Sequence, residues 1–571
     1  MPTAPFDVAI IGGGHNGLVC AAYLAKAGVS VVVLEKNAVA GGAALTEEFH
    51  PGFRNSVAAY TVSLLNPKVI RDLDLPRHGL RIVERPAANF WPLPMGSAPS
   101  YLLMPNGLAN RQRAIAEFSP RDAERLPAYD AALERAANVL RDLVLTTPPN
   151  AGGGFVEMLR SAPLARRLSK LAIEDQRVIA DLFTKSAADY LDRWFDSDLV
   201  KAAFAFDGIV GAYASPHTPG TAYLLLHHNF GEVNGRPGVW GHAIGGMGTI
   251  SQAMARAAEG FGAVVRTSAD VAEVVIEGER AVGVRLASGE TIRARAVAAN
   301  VGPKLLFRDL VSAGAIAPDL RERFLSIKTG SGTFRMNVAL SELPDFACLP
   351  NAPDGTAGAH HGSGIVIGPT LGYLDRAFMD ARLHGWSAHP IIEILIPSTL
   401  DDTLAPPGQH VASLFVQHVA PRLDGYGVRP SGSDTAAMVS HGVRPRGSDT
   451  MRSWADPREK EAFADLAIDT VTRYAPNFRA SVIARQVLSP LDLEQRFGMI
   501  DGDISHGQLS LDQLFSLRPV LGHASYRMPV KGLYLCGAGA HPGGGVTGAP
   551  GHNAAREIIR DLKREPPWLR R

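Results

Sequence analysis

The chain has 571 residues, 46% of them hydrophobic and 20% charged, a globular composition with core enough for two large domains or about three or four smaller ones. Lys and Arg number 57 against 56 Asp and Glu, so the net charge of +1 lacks the basic footprint of a nucleic-acid-binding protein. No stretch reaches the ~20 apolar residues of a spanning helix, and Cys20, Cys348 and Cys536 form no C-x-x-C pair, so they read as small buried hydrophobes rather than a dithiol centre.

The N-terminus enters an apolar run within a few residues and leaves no room for a signal or transit segment, which predicts an intracellular, most simply cytoplasmic, protein. Val8 to Ile11 reads as a buried parallel strand. A glycine-rich turn follows, then a small-residue helix to about Ala27, then a second buried strand from Ser30 to Leu34 that ends on Glu35. This is a βαβ unit for a dinucleotide. Gly12 permits the tight turn, Gly14 lets backbone N–H groups approach a pyrophosphate, and Gly17 lets the helix pack closely on the strand. Glu35 lies 18 positions after Gly17, where its carboxylate can accept the hydroxyls of an adenosine ribose. Asn16 within the turn and Lys36 beside the acid complete this group of candidate contacts. The pair Gly41-Gly42, with Ala43 and Ala44 behind it, exposes backbone to the far half of such a ligand.

Ser119-Pro120-Arg121-Asp122 starts a helix that runs to about Leu145 and is expected to bend at Pro127. Helical periodicity resumes from about Phe155 to Phe206. Gly238 to Gly248 is a second glycine-rich turn before a helix from Thr249 to Ala258. A three-stranded meander follows, Asp270 to Ile276, Ala281 to Leu286 and Thr291 to Ala298, joined by two-residue turns; it returns the chain to the dinucleotide domain. Strands Phe334–Leu340 and Ile391–Ile396 then alternate with helices, one of them opened by an expected Asp456-to-Glu459 capping box. Gly427 to Thr435 recurs as Gly442 to Thr450, a 15-residue duplication read as an exposed inserted loop, with solvation the default role of Arg429, Arg444 and Arg446. Finally, Leu533 to Cys536 is a short strand, Gly537 to Gly548 is glycine-dense backbone, and a helix runs from about Pro550 to Lys563. A helix N-terminus aimed by a glycine loop stabilises developing negative charge.

The N-terminal fingerprint with Glu35 and Gly41-Gly42, the Gly245-Gly-Met-Gly248 turn and the closing Leu535-Cys-Gly-Ala-Gly-Ala-His-Pro-Gly-Gly-Gly-Val546 together resemble the phytoene desaturase-like flavoproteins, relatives of the flavin amine oxidases, and within them the pyridine nucleotide-disulphide oxidoreductase domain-containing protein 2 branch. The resemblance covers nearly the whole chain. It implies an α/β fold: a discontinuous Rossmann-type FAD-binding domain, GR2-like, of residues 1–75, 238–303 and 496–571. An α+β substrate domain of residues 76–237, mainly helical, and 304–495, with the loop 427–450, is inserted into it. It implies FAD as cofactor, with Val271 pairing with adenine, Gly42, Ala43 and Ala44 bordering the phosphates and flavin, Gly537 near the pyrophosphate and ribityl chain, and Gly544, Gly545 and Val546 near the flavin pyrimidine. No second fingerprint seats a nicotinamide nucleotide.

On this resemblance the protein removes hydride from a C–H bond onto the flavin and passes electrons to O2 or a quinone. The substrate is a small molecule or a lipid, either an isoprenoid-like chain reached from a membrane surface or a small or methylated amine held by aromatics such as Phe90, Trp91, Tyr213, Tyr223 and Trp240. A flavin-binding regulator without turnover is the third reading. His541, beside the flavin-facing loop, is the nearest acid/base candidate; the amine-oxidase resemblance offers Lys328 as a holder of a water near the flavin, with a surface lysine the default reading. The His227-His228 and His360-His361 pairs lack partners at metal spacing, so no metal site is read. No motif speaks to oligomeric state.

Overall fold

Runs of apolar residues without alternation must be covered on both faces, and β1 (Phe6–Ile11) and β2 (Val31–Leu34) meet that requirement inside a layered sheet. In the computed structural model, which describes residues 6–150, 162, 164–426 and 452–564, β1 pairs in parallel with β2 on one side and with β3 (Thr291–Ala299) on the other. Val264–Arg266 extends the sheet in parallel beyond β2. The far edge of β3 serves two partners. Residues 291–293 pair antiparallel with Arg280–Leu286, which pairs with Val271–Glu277, and residues 297–299 pair in parallel with β4 (Leu533–Leu535). Seven strands among the described residues, drawn from three distant stretches of sequence, thus make one sheet.

A second seven-stranded sheet among the described residues is mostly antiparallel. Its order is Val482–Leu488, Phe334–Leu340, His410–Val419, Trp386–Leu395, Gly364–Ile367, Ala87–Pro92 and Tyr101–Pro105. The expected strand at Ile391–Ile396 starts five residues earlier, at Trp386, which pairs with Val419 ahead of an irregularity in the register. The stretch 76–237, expected to be mainly helical, contributes two strands to this sheet. Helices cover it. α1 (His15–Lys26) belongs to the first sheet; α2 (Pro120–Val144) starts on the Ser119 cap, whose hydroxyl accepts from the Asp122 N–H, and continues through Pro127 as one helix. Where helical periodicity is expected from about Phe155 to Phe206, the described part from residue 173 on forms Ile173–Thr184, Ala187–Asp192 and α3 (Asp198–Asp207), the last two opened by the serine caps Ser186 and Ser197. At the helix Pro457–Thr472, Asp456 accepts from the Arg458 N–H while Glu459 binds Arg452, so the acids of the expected capping box serve different partners. The duplicated 427–450 loop lies outside the described residues.

α4 (Gly248–Gly260) and α5 (Ala549–Arg564) pack on α1. Close approach dictates the residues: a Cβ at Gly551 of α5 would lie 2.1 Å from the Asn16 carbonyl oxygen, and one at Gly17 would lie 2.4 Å from the Gly12 carbonyl oxygen. α1 is therefore covered along most of its surface, with Leu18, Val19, Cys20 and Leu24 wholly buried. Truncating Leu24 to Ala at such a site costs about 2–5 kcal/mol.

Candidate functional site

At the C-terminal ends of β1 and β2 the chain opens a cleft with a cavity of about 390 Å3. Gly12 holds φ +91°, a left-handed conformation that costs a side chain strain and that turns the chain out of β1. Gly13 donates its N–H to Glu35 Oε2 at 2.8 Å, and Asn37 donates its backbone N–H at 2.9 Å and its amide at 2.8 Å to Glu35 Oε1. The carboxylate is thereby fixed at the cleft wall. α1 begins at Gly14 with no side-chain cap, so its first N–H groups are left for a ligand. A Cβ on Gly42 would stand 3.1 Å from the Gly14 Cα; two bare backbone segments face each other there.

Asn300, which sequence reasoning did not single out, organises this turn. It follows directly on β3, its amide donates to the Gly12 carbonyl oxygen at 3.1 Å, and its side chain would meet a Cβ on Gly14 or Gly17. Its one signal was its place between a buried strand and Gly302-Pro303. The wall continues with Gly544, Gly545 and Val546 from the last segment of the chain. Arg518 shapes that end. Wholly buried, its guanidinium donates to the carbonyl oxygens of Ser505, Gly507, Gln508, Gln513 and Ala538 at 2.6–3.3 Å. Burial lowers its pKa to about 10, with Asp503 opposing, so it remains a cation at neutral pH.

Of the residues expected to contact the cofactor, Gly12, Gly14, Asn16, Glu35, Lys36, Gly42, Ala43, Val271, Gly544, Gly545 and Val546 line this one cleft. Lys36 also reaches the Gln495 carbonyl oxygen at 3.0 Å. Gly17, Ala44 and Gly537 stand behind the wall. Gly17 and Gly537 are spaces against Gly12 and Asn300, and the Ala44 carbonyl accepts from the Ser251 hydroxyl at 2.9 Å. Asn16 Oδ1 and His15 Nε2 are buried at the wall without a hydrogen-bond partner among the described residues, acceptors or donors that a polar ligand would satisfy. Burial lowers the His15 imidazole to about 4 and keeps it neutral.

His541 lies elsewhere. It is buried outside the cleft wall, its Nε2 is 2.8 Å from the Leu143 carbonyl oxygen, its own carbonyl accepts from the Tyr526 hydroxyl, and burial lowers its pKa to about 4. Its task is to join the glycine loop to the end of α2. Lys328 is exposed and paired with Asp512 at 2.8 Å. Of the expected aromatics, Trp240 alone reaches the wall. Phe90 and Trp91 fill cores, Tyr213 packs on Phe378 and Tyr223 on Phe183. The His360 and His361 rings lie 3.8 Å apart and tilted by 40°, both buried, whereas His227 and His228 line the cleft. Cys20 and Cys536, unrelated in sequence, hydrogen-bond each other; that contact and burial hold the Cys20 thiol well above its ordinary range, so it stays protonated.

The far end of the cleft is built from side chains. Tyr60, Phe206, Trp240 and Phe415 give aromatic walls, and Asp207, Glu393, His227 and His228 are set among them. The Tyr60 hydroxyl donates to Glu393 Oε2 at 2.5 Å. Arg335 lies 4.5 Å from the centre of the Tyr60 ring, and burial lowers its pKa to about 10. Arg85 contacts the Thr61 hydroxyl and lies beside Trp240. Burial raises the Asp207 carboxyl to about 6, opposed by His228, and lowers His227 to about 3.

Against known proteins, residues 10–74 match the NAD(P)-binding Rossmann-like domain family. Pyridine nucleotide-disulfide oxidoreductase domain-containing protein 2 of Rattus norvegicus is 40% identical over 98% of this chain and 94% of its own. The lycopene-forming phytoene desaturase of a Paracoccus species is 24% identical over 97% of each chain. The solved structure of cyclohexylamine oxidase from Brevibacterium oxydans shares the fold, with a TM-score of 0.53 and 16% identity over 98% of this chain and 100% of its own.

Proposed function

We propose, on the premise that the chain belongs to the pyridine nucleotide-disulfide oxidoreductase domain-containing protein 2 family, that it is an FAD-dependent oxidoreductase that removes hydride from a substrate C–H bond. One observation carries the reading: a single cleft joins the capless N-terminus of α1 and the fixed Glu35 carboxylate at one end to Gly544–Val546 and a side-chain-built chamber at the other. The residues fit the cofactor. The bare backbone between Gly14 and Gly42 suits a pyrophosphate, Glu35 suits a ribose, and the orphaned Asn16 Oδ1 and His15 Nε2 await polar partners. Bound FAD supplies a two-electron hydride acceptor, and O2 or a quinone is the proposed electron sink. The protein's share is to orient the substrate C–H, exclude water with Phe206, Trp240 and Phe415, and fix charge with Glu393, Tyr60 and Arg335. The division into an FAD-binding domain of residues 1–75, 238–303 and 496–571 and a substrate domain between them goes with this reading.

Two substrate classes follow. The phytoene desaturase similarity supports an isoprenoid-like lipid, which would require an apolar tunnel. Oxidation next to an amine is favoured by a specific feature, the pair of carboxylates among the aromatic walls. Among the described residues no helix is long and apolar enough to cross a membrane. Anaerobic mixing of the flavin-loaded protein with a polyene and with an amine tests the reading. Bleaching of the oxidised flavin band by one of them names the class. No bleaching by any donor leaves a flavin-binding regulator and refutes the enzyme.

A further inference from the structure

Asp207 ends α3, a ten-residue helix, so its carboxylate sits at the pole where the helix dipole is already negative. It lines the cleft, yet no hydrogen bond or ion pair holds its side chain among the described residues. Of the charged groups that face it, His228 alone opposes the effect of burial, and none pairs with the carboxylate. His228 uses Nδ1 on the Leu224 carbonyl oxygen, Tyr129 contributes a phenol, and Glu393 is itself an acid. The two cations behind the chamber, Arg85 and Arg335, act on Glu393 and Tyr60. Glu393 is therefore satisfied and Asp207 is not. A second observation points to a ligand at the same place: His227, 6% exposed, lines the chamber with Nδ1 lacking any partner among the described residues.

A carboxylate, a helix C-terminus and aromatic faces in one chamber all favour a positive ligand group. We propose that Asp207 is the seat of a substrate ammonium, and that it fixes the substrate class as a small aliphatic or aralkyl amine whose reacting carbon bears the nitrogen. The inference rests on the oxidoreductase reading of the cleft. In the reaction Asp207 takes one proton from the bound ammonium, which frees the nitrogen lone pair. With FAD held in the cleft, the freed lone pair would let the carbon next to nitrogen give up hydride, the C–H bond breaking as a C=N bond forms and the cofactor taking up the two electrons. The carboxylic acid returns its proton to solvent when the product leaves. Above about pH 6 the carboxylate is charged and ready to receive the cation, which agrees with the effect of burial on this group.

The test is calorimetric binding of benzylamine and of its uncharged counterpart benzyl alcohol to the purified full chain, with flavin content recorded. Benzylamine should bind at least tenfold tighter than benzyl alcohol, and about tenfold tighter at pH 7 than at pH 5, as expected for a carboxylate titrating near 6. Asp207→Asn should lose both differences, Asp207→Glu should restore them in part, and an unchanged unfolding midpoint separates the loss from misfolding. Surface variant Asp512→Asn should bind as wild type. Equal binding of amine and alcohol, no binding of either, or an Asp207→Asn variant indistinguishable from wild type would overturn the proposal. Asp207-dependent amine binding by protein that cannot take up FAD would sink the flavin reading and leave this one standing; a flavin-loaded protein that prefers the alcohol does the reverse.

Discussion

The two ends of the cleft are built from different materials. The dinucleotide end is made of backbone: Gly12, Gly14, Gly42, Gly544 and Gly545 supply close approach, and one carboxylate, Glu35, is locked by its neighbours. The chamber end is made of side chains from distant elements, with Glu393 and Phe415 on paired strands of the second sheet, Asp207 at a helix end, and Tyr60 and Trp240 on loops. Backbone recognition accepts any ligand with the right phosphates, whereas side-chain recognition selects. The contrast teaches that cofactor choice and substrate choice are separable here, and it can be broken by mutation.

The largest effect is expected where the backbone end is braced. Arg518→Met removes the donor shared by five carbonyl oxygens and should destabilise the fold by about 3–5 kcal/mol, seen as a lowered urea midpoint together with loss of flavin. A stable, flavin-loaded variant would show that the loop around Ser505 is not held this way. Next, Glu35→Ala should weaken FAD retention by about tenfold to a hundredfold, the range for a lost charge-assisted hydrogen bond, and leave the chamber's amine binding intact. If both ends fail together in that variant, they are not separable.

How much of this was legible in the sequence follows from the same contrast. The βαβ unit, the meander and the C-terminal glycine loop appear where expected because glycine spacing and apolar runs are local signals. The apolar end of β3 from Val297 marks a buried strand, but its pairing with both β1 and β4 has no local signal. The chamber was not legible. Asp207 and Glu393 are 186 positions apart, and Glu393 sits between Ile392 and Ile394 in a buried run, so nothing local marks either. His541 shows the opposite case: it lies next to the glycine loop in sequence, but its side chain reaches the Leu143 carbonyl at the end of α2. The Cys20–Cys536 contact likewise arises only when α1 meets the end of β4.

A smaller effect should come from acid. His15, His227 and His541 are buried with pKa values lowered to about 4, 3 and 4. Between an unfolded value of about 6.5 and these, the unfolded chain binds more protons than the folded one. Stability is therefore full above about pH 7 and falls as pH drops toward 4, by about 2 kcal/mol for each of these imidazoles between pH 7 and 5, measurable as a falling thermal midpoint. A midpoint that holds steady over that range would mean these imidazoles are solvated. The smallest effect is reserved for the residue that sequence alone put forward. His541→Asn should keep turnover within about twofold and cost about 1 kcal/mol of stability for the lost contact to Leu143. A turnover loss of a hundredfold with unchanged stability would return it to the chemistry.

The central claim is that one cleft holds FAD against Glu35 and the capless N-terminus of α1. Its most direct test is the visible spectrum and flavin stoichiometry of the purified full chain before and after incubation with FAD. The account predicts about one FAD per chain, released on unfolding and much reduced in Glu35→Ala. Protein that carries no flavin and cannot be reconstituted with FAD would contradict it.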